Sequence, residues 1–162
     1  MTTIANPYQI ISQHNFANVL LNADTNQKSL NATIPIKIGE VISFFNARQT
    51  FNHPTYLTVQ TGIKTHITLM PEFLQYINHS CNPNVFFDTD LMQLICLKPI
   101  AIGEELRFFY PSTEWEMTQS FVCNCGSANC LQLVQGAAYL SNDVAAKYRV
   151  TNFIKQQLLA KK

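Results

Sequence analysis

Residues 78–84 read NHSCNPN, a polar segment between two apolar runs, PEFLQYI before it and VFFD after it. Asn, Ser and Pro favour turns, so this segment is predicted to be a shaped loop. Cys81 stands at its centre and is one of five cysteines in the chain. Cys96, by contrast, lies inside the apolar run LMQLICLKPI, a setting typical of a buried small side chain.

Three further cysteines follow in FVCNCGSANC, residues 121–130, with the spacing C-x-C-x4-C and a glycine after the second thiol. Structural zinc sites take four tetrahedral ligands, and soft thiolates suit that ion. The fourth ligand has to come from Cys81, Cys96 or one of the four histidines, and the polar, turn-rich setting of Cys81 favours it. The sequence therefore predicts one zinc site, with three free thiols in a loop as the alternative; its ligands are Cys81, Cys123, Cys125 and Cys130.

Composition narrows the classes of protein. The chain has 162 residues, of which 47% are hydrophobic and 13% charged, so one folded domain over residues 1–162 is expected. A formal net charge of +1 argues against direct nucleic-acid binding. The N-terminus lacks the pattern of a signal peptide, and no window reaches 18 consecutive apolar residues, so no membrane partner is expected. Five cysteines then favour a reducing, intracellular and soluble setting, cytoplasmic or nuclear.

Short runs of β-branched and aromatic residues, separated by Asn, Asp, Gly and Pro, predict a mostly β fold with short helices. The predicted strands are NFANVLL, EVISFF, TYLTVQTG, THITLM, NVFFD and MQLICLK. One or two helical turns are expected after Pro71, and a short helix in PSTEWEMTQ. Residues 142–160 are predicted to form one C-terminal helix capped by Asn142 or Asp143.

Two stretches repeat at an offset of 64 positions, IPIKIGEVISFF (34–45) and KPIAIGEELRFF (98–109). Each predicts a turn that places Gly39 or Gly103 at positive φ, followed by a strand. A reused turn and strand is a structural device, which argues against acid catalysis by the glutamates beside these glycines.

Three segments, YINHSCNPNVFFD, PIAIGEELRFFY and CNCGSANC, occur in this order and together resemble the SET domain family of protein lysine methyltransferases with its post-SET cysteine cluster. The resemblance runs from about Phe16 to about Leu140. It implies a β-clip-like fold of several small sheets with a knot-like threading, in which the NHSC segment passes the chain that ends at Tyr110. It also implies a SET core over about 16–110, a post-SET zinc-binding segment over 111–140, and a structural zinc to which Cys81 contributes.

The resemblance further implies the reaction, transfer of a methyl group from S-adenosylmethionine to a lysine side chain. Burial of that amine in an apolar channel lowers its pKa from about 10.4 and exposes its lone pair. Tyr110 matches the catalytic tyrosine, and Phe108 the position that tunes how many methyl groups are added. The matched cofactor-binding positions are Asn78, His79 and Tyr110, with Lys28, Ser29 and Leu30 as weaker candidates.

Two positions depart from the family pattern. Residues 27–29 read QKS where many members have G-x-G, and Gln75 stands where many have Arg. Both changes concern cofactor binding, so two alternatives stay open: a catalytically silent SET module that binds a protein partner, and a zinc-stabilised structural domain without a cofactor. For the enzyme, the expected partner is a protein that presents a lysine, whether histone or not, and a monomer is expected.

Overall fold

The computed structural model describes residues 5–161, and short strands predominate in that range, with 36% of residues in strands and 15% in helices. The prediction of a mostly β fold is therefore confirmed. The strands are β1 Tyr8–Gln13, β2 Ala17–Asn22, β3 Lys28–Ala32, β4 Val41–Phe44, β5 Asn46–Phe51, β6 Val59–Gly62, β7 Thr65–Met70, β8 Asn78–His79, β9 Val85–Asp88, β10 Gln93–Cys96, β11 Arg107–Phe108, β12 Phe121–Val122 and β13 Leu133–Val134. The helices are α1 Asn142–Ala145 and α2 Asn152–Ala160, and 3₁₀ turns cover Glu72–Tyr76, Tyr110–Ser112 and Ala137–Tyr139.

Small sheets enclose the main hydrophobic core. Three sheets have three antiparallel strands each, in the orders β1-β2-β3, β4-β10-β9 and β5-β7-β6. Their inner faces bury apolar side chains such as Leu30, Phe87 and Leu106, all without exposed surface. Burying a side chain of this size contributes about 1.5–3 kcal/mol, so these contacts hold the sheets together.

The two repeated stretches pack against each other as matched halves. Ile36 and Ile100 exchange two backbone hydrogen bonds of 2.9 Å each. The N–H of Gly39 donates to the carbonyl of Cys96 at 2.8 Å, and in the equivalent bond Gly103 donates to Ala32 at 2.7 Å. Both glycines have positive φ, +84° and +88°, as predicted. The sequence repeat is thus a structural pseudo-symmetry that joins the sheet of β3 to the sheet of β10.

A parallel pair of short strands, β8 and β11, brings two distant motifs side by side. Asn78 lies opposite Arg107, and His79 lies opposite Phe108. After this pair, the N–H of Ser80 donates to the carbonyl of Phe108 at 3.0 Å. The segment that contains Cys81 therefore runs beside the segment that ends at Tyr110, as the family resemblance implied.

A C-terminal helix is present as predicted, but the predicted bounds of 142–160 are wrong, because the chain forms α1 and α2 with a break between them. The Thr151 side chain accepts a hydrogen bond from the N–H of Ile154 and begins α2, while its own N–H donates to the carbonyl of Ser112 at 2.9 Å. In the break, the ring of Tyr148 stacks on Phe109 at 3.7 Å. These contacts with distant residues take the place of helical hydrogen bonds in the break. Sequence periodicity cannot reveal such contacts.

The prediction of a short helix in PSTEWEMTQ is also wrong, since only the 3₁₀ turn Tyr110–Ser112 forms there. The carbonyl of Tyr110 accepts hydrogen bonds from the N–H groups of Thr113 and Glu114, and the chain then continues without regular structure. Among residues 5–161, no helix is long and apolar enough to cross a bilayer.

Candidate functional site

Four cysteines converge into one cluster, although Cys81 is 42 positions before the next of them. Their sulfur atoms all lie within 4.8 Å of one another, and the Sγ atoms of Cys81 and Cys123 are 3.9 Å apart. Tetrahedral zinc with Zn–S bonds of about 2.3 Å requires sulfur separations of about 3.8 Å. The donor set and the spacing therefore fit a metal ion of that kind; the candidate ligands are Cys81, Cys123, Cys125 and Cys130.

Local backbone bonds shape the loop that carries three of these cysteines. Gly126 takes a φ of +73°, which lets the chain turn back after Cys125. The N–H of Cys123 donates to the carbonyl of Gln132 at 2.7 Å, next to the two-residue pair β12–β13. The N–H of Leu131 donates to the Sγ of Cys81 at 3.3 Å, which ties this loop to the distant cysteine.

Two thiols of the cluster have pKa values that are shifted in opposite directions. Burial raises the pKa of the Cys81 thiol well above its ordinary value, and the charges of Cys123 and Cys125 raise it further. Burial also acts to raise the pKa of Cys125, but hydrogen bonds from the side chain and backbone of Ser127 outweigh it and lower that pKa to about 5. Four crowded thiolates repel one another unless a metal ion compensates their charge.

The fifth cysteine plays a different role. Cys96 is 1% exposed and belongs to the main hydrophobic core, and its thiol donates to the carbonyl of Lys98 at 2.8 Å. Of the candidates for the fourth ligand, Cys81 is the one that joins the cluster. The interpretation of Cys96 as a buried small side chain is confirmed.

His79 connects the cysteine cluster to the predicted catalytic tyrosine. The N–H of Tyr110 donates to Nδ1 of His79 at 3.1 Å, so Nδ1 is an acceptor and the ring proton resides on Nε2. Nε2 lies 3.3 Å from the Sγ of Cys81. Burial and the nearby charge of Arg107 lower the pKa of His79 to about 4, so the ring is neutral near pH 7. One neutral imidazole therefore joins a cluster cysteine to the backbone of Tyr110.

A polar cleft of about 850 Å³ opens beside this histidine. Most of the predicted cofactor-binding residues line it, namely Lys28, Ser29, Asn78, His79 and Tyr110. Leu30 differs, because its side chain is fully buried in the hydrophobic core. The inward face of β3 packs the core and the neighbouring Ser29 lines the cleft, so the Leu30 side chain does not line the cleft, and the assignment of Leu30 to the cofactor stays a prediction.

An ionic network that the sequence did not suggest fixes one wall of the cleft. Asn78 donates its amide to the carbonyl of Lys28 at 2.8 Å and to Oε1 of Glu105 at 3.0 Å. Arg107 donates through Nε to Oε2 of Glu105 at 2.8 Å. The signal that could have identified Arg107 as a residue of this wall is the pairing of β8 with β11, in which Arg107 lies opposite Asn78. Gln75, which departs from the family pattern, lies instead at the apolar cavity described next.

A second, mainly apolar cavity of about 620 Å³ meets the polar cleft at Tyr110 and Phe121, which line both. Phe108 lines the apolar side and lies edge-on to Phe87 with 4.8 Å between ring centres. Burial, together with the negative charges of Glu114 and Glu105, raises the pKa of Tyr110 to about 12. The phenol is therefore neutral near pH 7 and stands between two cavities of opposite character.

Glu114 contributes a carboxyl group to the apolar cavity, and sequence analysis missed it by assigning it to a helix. Its Oε2 accepts hydrogen bonds from the N–H of Gln60 at 3.0 Å and from the hydroxyl of Thr113 at 2.6 Å. Burial raises the pKa of this carboxyl to about 7, although both hydrogen bonds act to lower it. Glu114 lies five residues after the segment GEELRFF and has no recognisable local signal, because its hydrogen-bond partner Gln60 is 54 positions away.

Comparison with known proteins agrees with this geometry. The family model described as SET domain matches residues 9–111. A relative named Methyltransferase flvH, from Aspergillus flavus, is 36% identical over 145 residues, which cover 88% of this chain and 81% of the relative. A histone-lysine N-methyltransferase of Candida albicans, H3 lysine-36 specific, is 30% identical over 113 residues, and the match covers 61% of this chain but 13% of that protein.

Among solved structures, the "crystal structure of KRYPTONITE in complex with mCHG DNA and SAH" superimposes with a TM-score of 0.47 and 21% identity, over 65% of this chain and 26% of that one. The match of the family model covers more than half of the chain, and it contains both Cys81 and Tyr110. The resemblance inferred from the motifs is thus confirmed, and the chain belongs to the SET domain family.

Proposed function

We propose that this protein is an S-adenosylmethionine-dependent methyltransferase that modifies the side-chain nitrogen of a lysine in a protein substrate. The observation that carries the proposal is the position of Tyr110 at the junction of a polar cleft and an apolar cavity. Such a junction suits a charged cofactor on one side and an aliphatic amine on the other. The names of the relatives, a methyltransferase and histone-lysine methyltransferases, support the same reaction class.

The lining of the polar cleft suits S-adenosylmethionine. Lys28 supplies positive charge for a carboxylate, since the charge of Arg107 is paired with Glu105, and Ser29 and Asn78 supply hydrogen-bonding groups. Ser29 stands near the position at which many family members have glycine, and its small side chain keeps that wall of the cleft open. When bound, the cofactor supplies an electrophilic methyl group on a positively charged sulfur.

The residues of the apolar cavity prepare the amine. Phe108, Phe121 and their apolar neighbours disfavour the ammonium form, since burial lowers the pKa of an amine. The oxygen of the neutral Tyr110 hydroxyl can accept a hydrogen bond from an N–H of the free amine, which leaves the lone pair free to face the cleft. Alignment of this kind removes several kcal/mol from the barrier of a bimolecular transfer. In the transfer, the nitrogen–carbon bond forms as the sulfur–carbon bond breaks, and the amine proton passes to solvent.

We assign zinc to the four-cysteine cluster, and its role is structural. Four thiolates complete the coordination of zinc and leave no open position for a bound water. The ion would cross-link the loop of Cys123 to the segment of Cys81, and through His79 it would steady the backbone of Tyr110.

We further propose that Phe108 leaves room for di- or trimethylation. Its ring offers no hydroxyl to hold a water molecule beside the amine, and it packs at 4.7 Å from the ring of Tyr110. Mass spectrometry of a good substrate after prolonged reaction checks this assignment; a product that stops at one methyl group contradicts it.

The deciding experiment incubates the purified protein with cell extract and methyl-labelled S-adenosylmethionine, and then locates the label. Label in a protein band at a lysine is expected, and Tyr110→Phe should abolish it. Tyr139→Phe is the matched control, since that tyrosine is 58% exposed and lines neither cavity. Label found only in small molecules would refute the protein substrate.

A second candidate, a silent module that binds a protein partner, is favoured by the residues QKS at 27–29 and by Gln75. Calorimetry separates the candidates: binding of S-adenosylmethionine without any transfer supports the silent module. No binding of the cofactor at all would support a purely structural domain instead.

A further inference from the structure

The apolar cavity contains one acidic group. Its lining includes apolar residues such as Val59, Leu69 and Leu74, with several uncharged polar groups. Among the described residues that line it, Glu114 is the one whose side chain ionises near neutral pH. A cavity built this way excludes anions and has a single point of attraction for a cation.

The two carboxylate oxygens of Glu114 have different surroundings. Oε2 accepts both hydrogen bonds, from Gln60 and from Thr113. No hydrogen bond or ion pair reaches Oε1 from any group in residues 5–161, yet Oε1 is not among the fully enclosed polar atoms without a partner. Glu114 as a whole is 6% exposed. Oε1 is therefore free to accept from a group that enters the cavity.

A buried carboxylate without a counter-charge is costly, because burial removes its hydration. The fixed hydrogen bonds to Oε2 hold the group in place but bring no positive charge. A ligand with an aliphatic stem and a cationic amine at its end would satisfy both features of the cavity: the stem would pack on the apolar lining, and the amine would meet Oε1.

We propose that Glu114 is a substrate-recognition residue. Its Oε1 accepts a hydrogen bond from the amine of the incoming side chain, and this makes the cavity selective for amines. This assignment rests on the proposed function, because it names the residue that would select the substrate of that reaction. Recognition of this kind is compatible with methyl transfer. In apolar surroundings, an ammonium–carboxylate pair loses much of its advantage over the neutral amine and acid, so the pairing does not lock the amine in its protonated form.

Binding of small probes tests the proposal without any need for turnover. The probes are n-butylammonium and n-butanol, which share an aliphatic stem and differ in the charged end, titrated at pH 8 against the methyl NMR signals of the cavity. The native protein should bind n-butylammonium about tenfold more tightly than n-butanol, as expected for one hydrogen bond to a charged group. Glu114→Gln should reduce this ratio to about one.

Two control variants separate recognition from folding. Glu116→Gln removes an exposed carboxylate two positions away and should keep the tenfold preference. Thr113→Val removes a hydrogen bond to Oε2 but keeps the carboxylate, so a folding defect alone would appear here while the preference remains. Equal binding of both probes by the native protein, or a preserved preference in Glu114→Gln, overturns the proposal. The proposed methyl transfer is scored separately with labelled cofactor, so each claim can fail without the other.

Discussion

The β-rich core, residues 17–110, and the C-terminal segment, residues 111–160, are stabilised by different means. The core has three-stranded sheets around a continuous set of buried apolar side chains. The C-terminal segment has one strand pair of two residues each and two short helices, and it packs in two small clusters, one around Phe109 and one around the cysteines.

This difference indicates that the proposed zinc would contribute most to the order of the C-terminal segment. Small assemblies bury too little apolar surface to be stable alone, and metal ligation commonly compensates. Two of the contacts that join the regions are central to the predictions: Glu114 hydrogen-bonds the backbone of Gln60 in β6, and Tyr148 stacks on Phe109. Since Tyr110 lies at the boundary, the core supplies the walls of the site and the C-terminal segment closes it.

Removal of the proposed zinc should have the largest effect and should act mainly on the C-terminal segment. Chelation, or Cys81→Ser, is expected to lower the free energy of unfolding of that segment by more than about 3 kcal/mol, because four ligands from two distant segments lose their cross-link. Trp115 fluorescence should report the loosening, while the far-ultraviolet β signal of the core persists. Elemental analysis should find one zinc per chain in the native protein.

Cys96→Ser is the matched control, because that thiol lies in the core and outside the cluster. It should leave the zinc content unchanged, and Cys123→Ser should lower it as much as Cys81→Ser does. Simultaneous loss of structure in both regions would contradict the division between them.

The junction at Glu114 should show a distinct pH dependence. Its pKa is raised by burial from 4.5 to about 7, so between these values the folded state keeps a proton that the unfolded state releases. The contribution of this group to stability is therefore most favourable below pH 4.5 and falls by about 3 kcal/mol as the pH rises through 7. Urea unfolding at pH 5 and pH 8 should show this loss in the native protein and not in Glu114→Gln. Parallel behaviour of the two proteins would refute the raised pKa.

The junction at Tyr148 should give a smaller effect. Its hydroxyl donates to the carbonyl of Cys81 at 2.7 Å and accepts from Asn129 at 3.1 Å. Tyr148→Phe keeps the stacking on Phe109 but removes these bonds, so the affinity for zinc should fall about tenfold and the stability by about 1–2 kcal/mol. Competition with a chelator measures the affinity. Tyr139→Phe, at an exposed position, should change neither quantity.

Most of what the sequence missed lies in the C-terminal segment, although β5 and the network of Asn78, Glu105 and Arg107 in the core were also missed. In the core, strand periodicity, turn residues and the NHSC motif have local signatures, and the predicted strands and both glycine turns are present. Cys81 was predictable because thiols have few alternative roles in a polar loop.

The C-terminal segment was predicted poorly for a physical reason. Its conformation is set by distant partners, such as the carbonyl of Ser112 for Thr151 and the N–H of Gln60 for Glu114. The helix-forming composition of residues 142–160 did not give one continuous helix, because contacts such as that of Thr151 with Ser112 overrode it. The carboxyl group of Glu114 in the apolar cavity carried no local signal.

The two pseudo-symmetric turns at Gly39 and Gly103 should give the smallest of the predicted effects on stability. Alanine in place of Gly39 or Gly103 would occupy a φ of +84° or +88° with no atom within 4 Å of the added carbon, so the cost is purely conformational, about 1 kcal/mol each. Gly62→Ala, at a position without positive φ, should cost less. Equal losses at the two turns in urea unfolding would support equivalent halves. Gly103 also lines the polar cleft and Gly39 does not, so only Gly103→Ala should weaken cofactor binding in calorimetry. If both variants weaken it equally, the cleft is not where the cofactor binds, and the functional asymmetry that we infer from this symmetric pair is wrong.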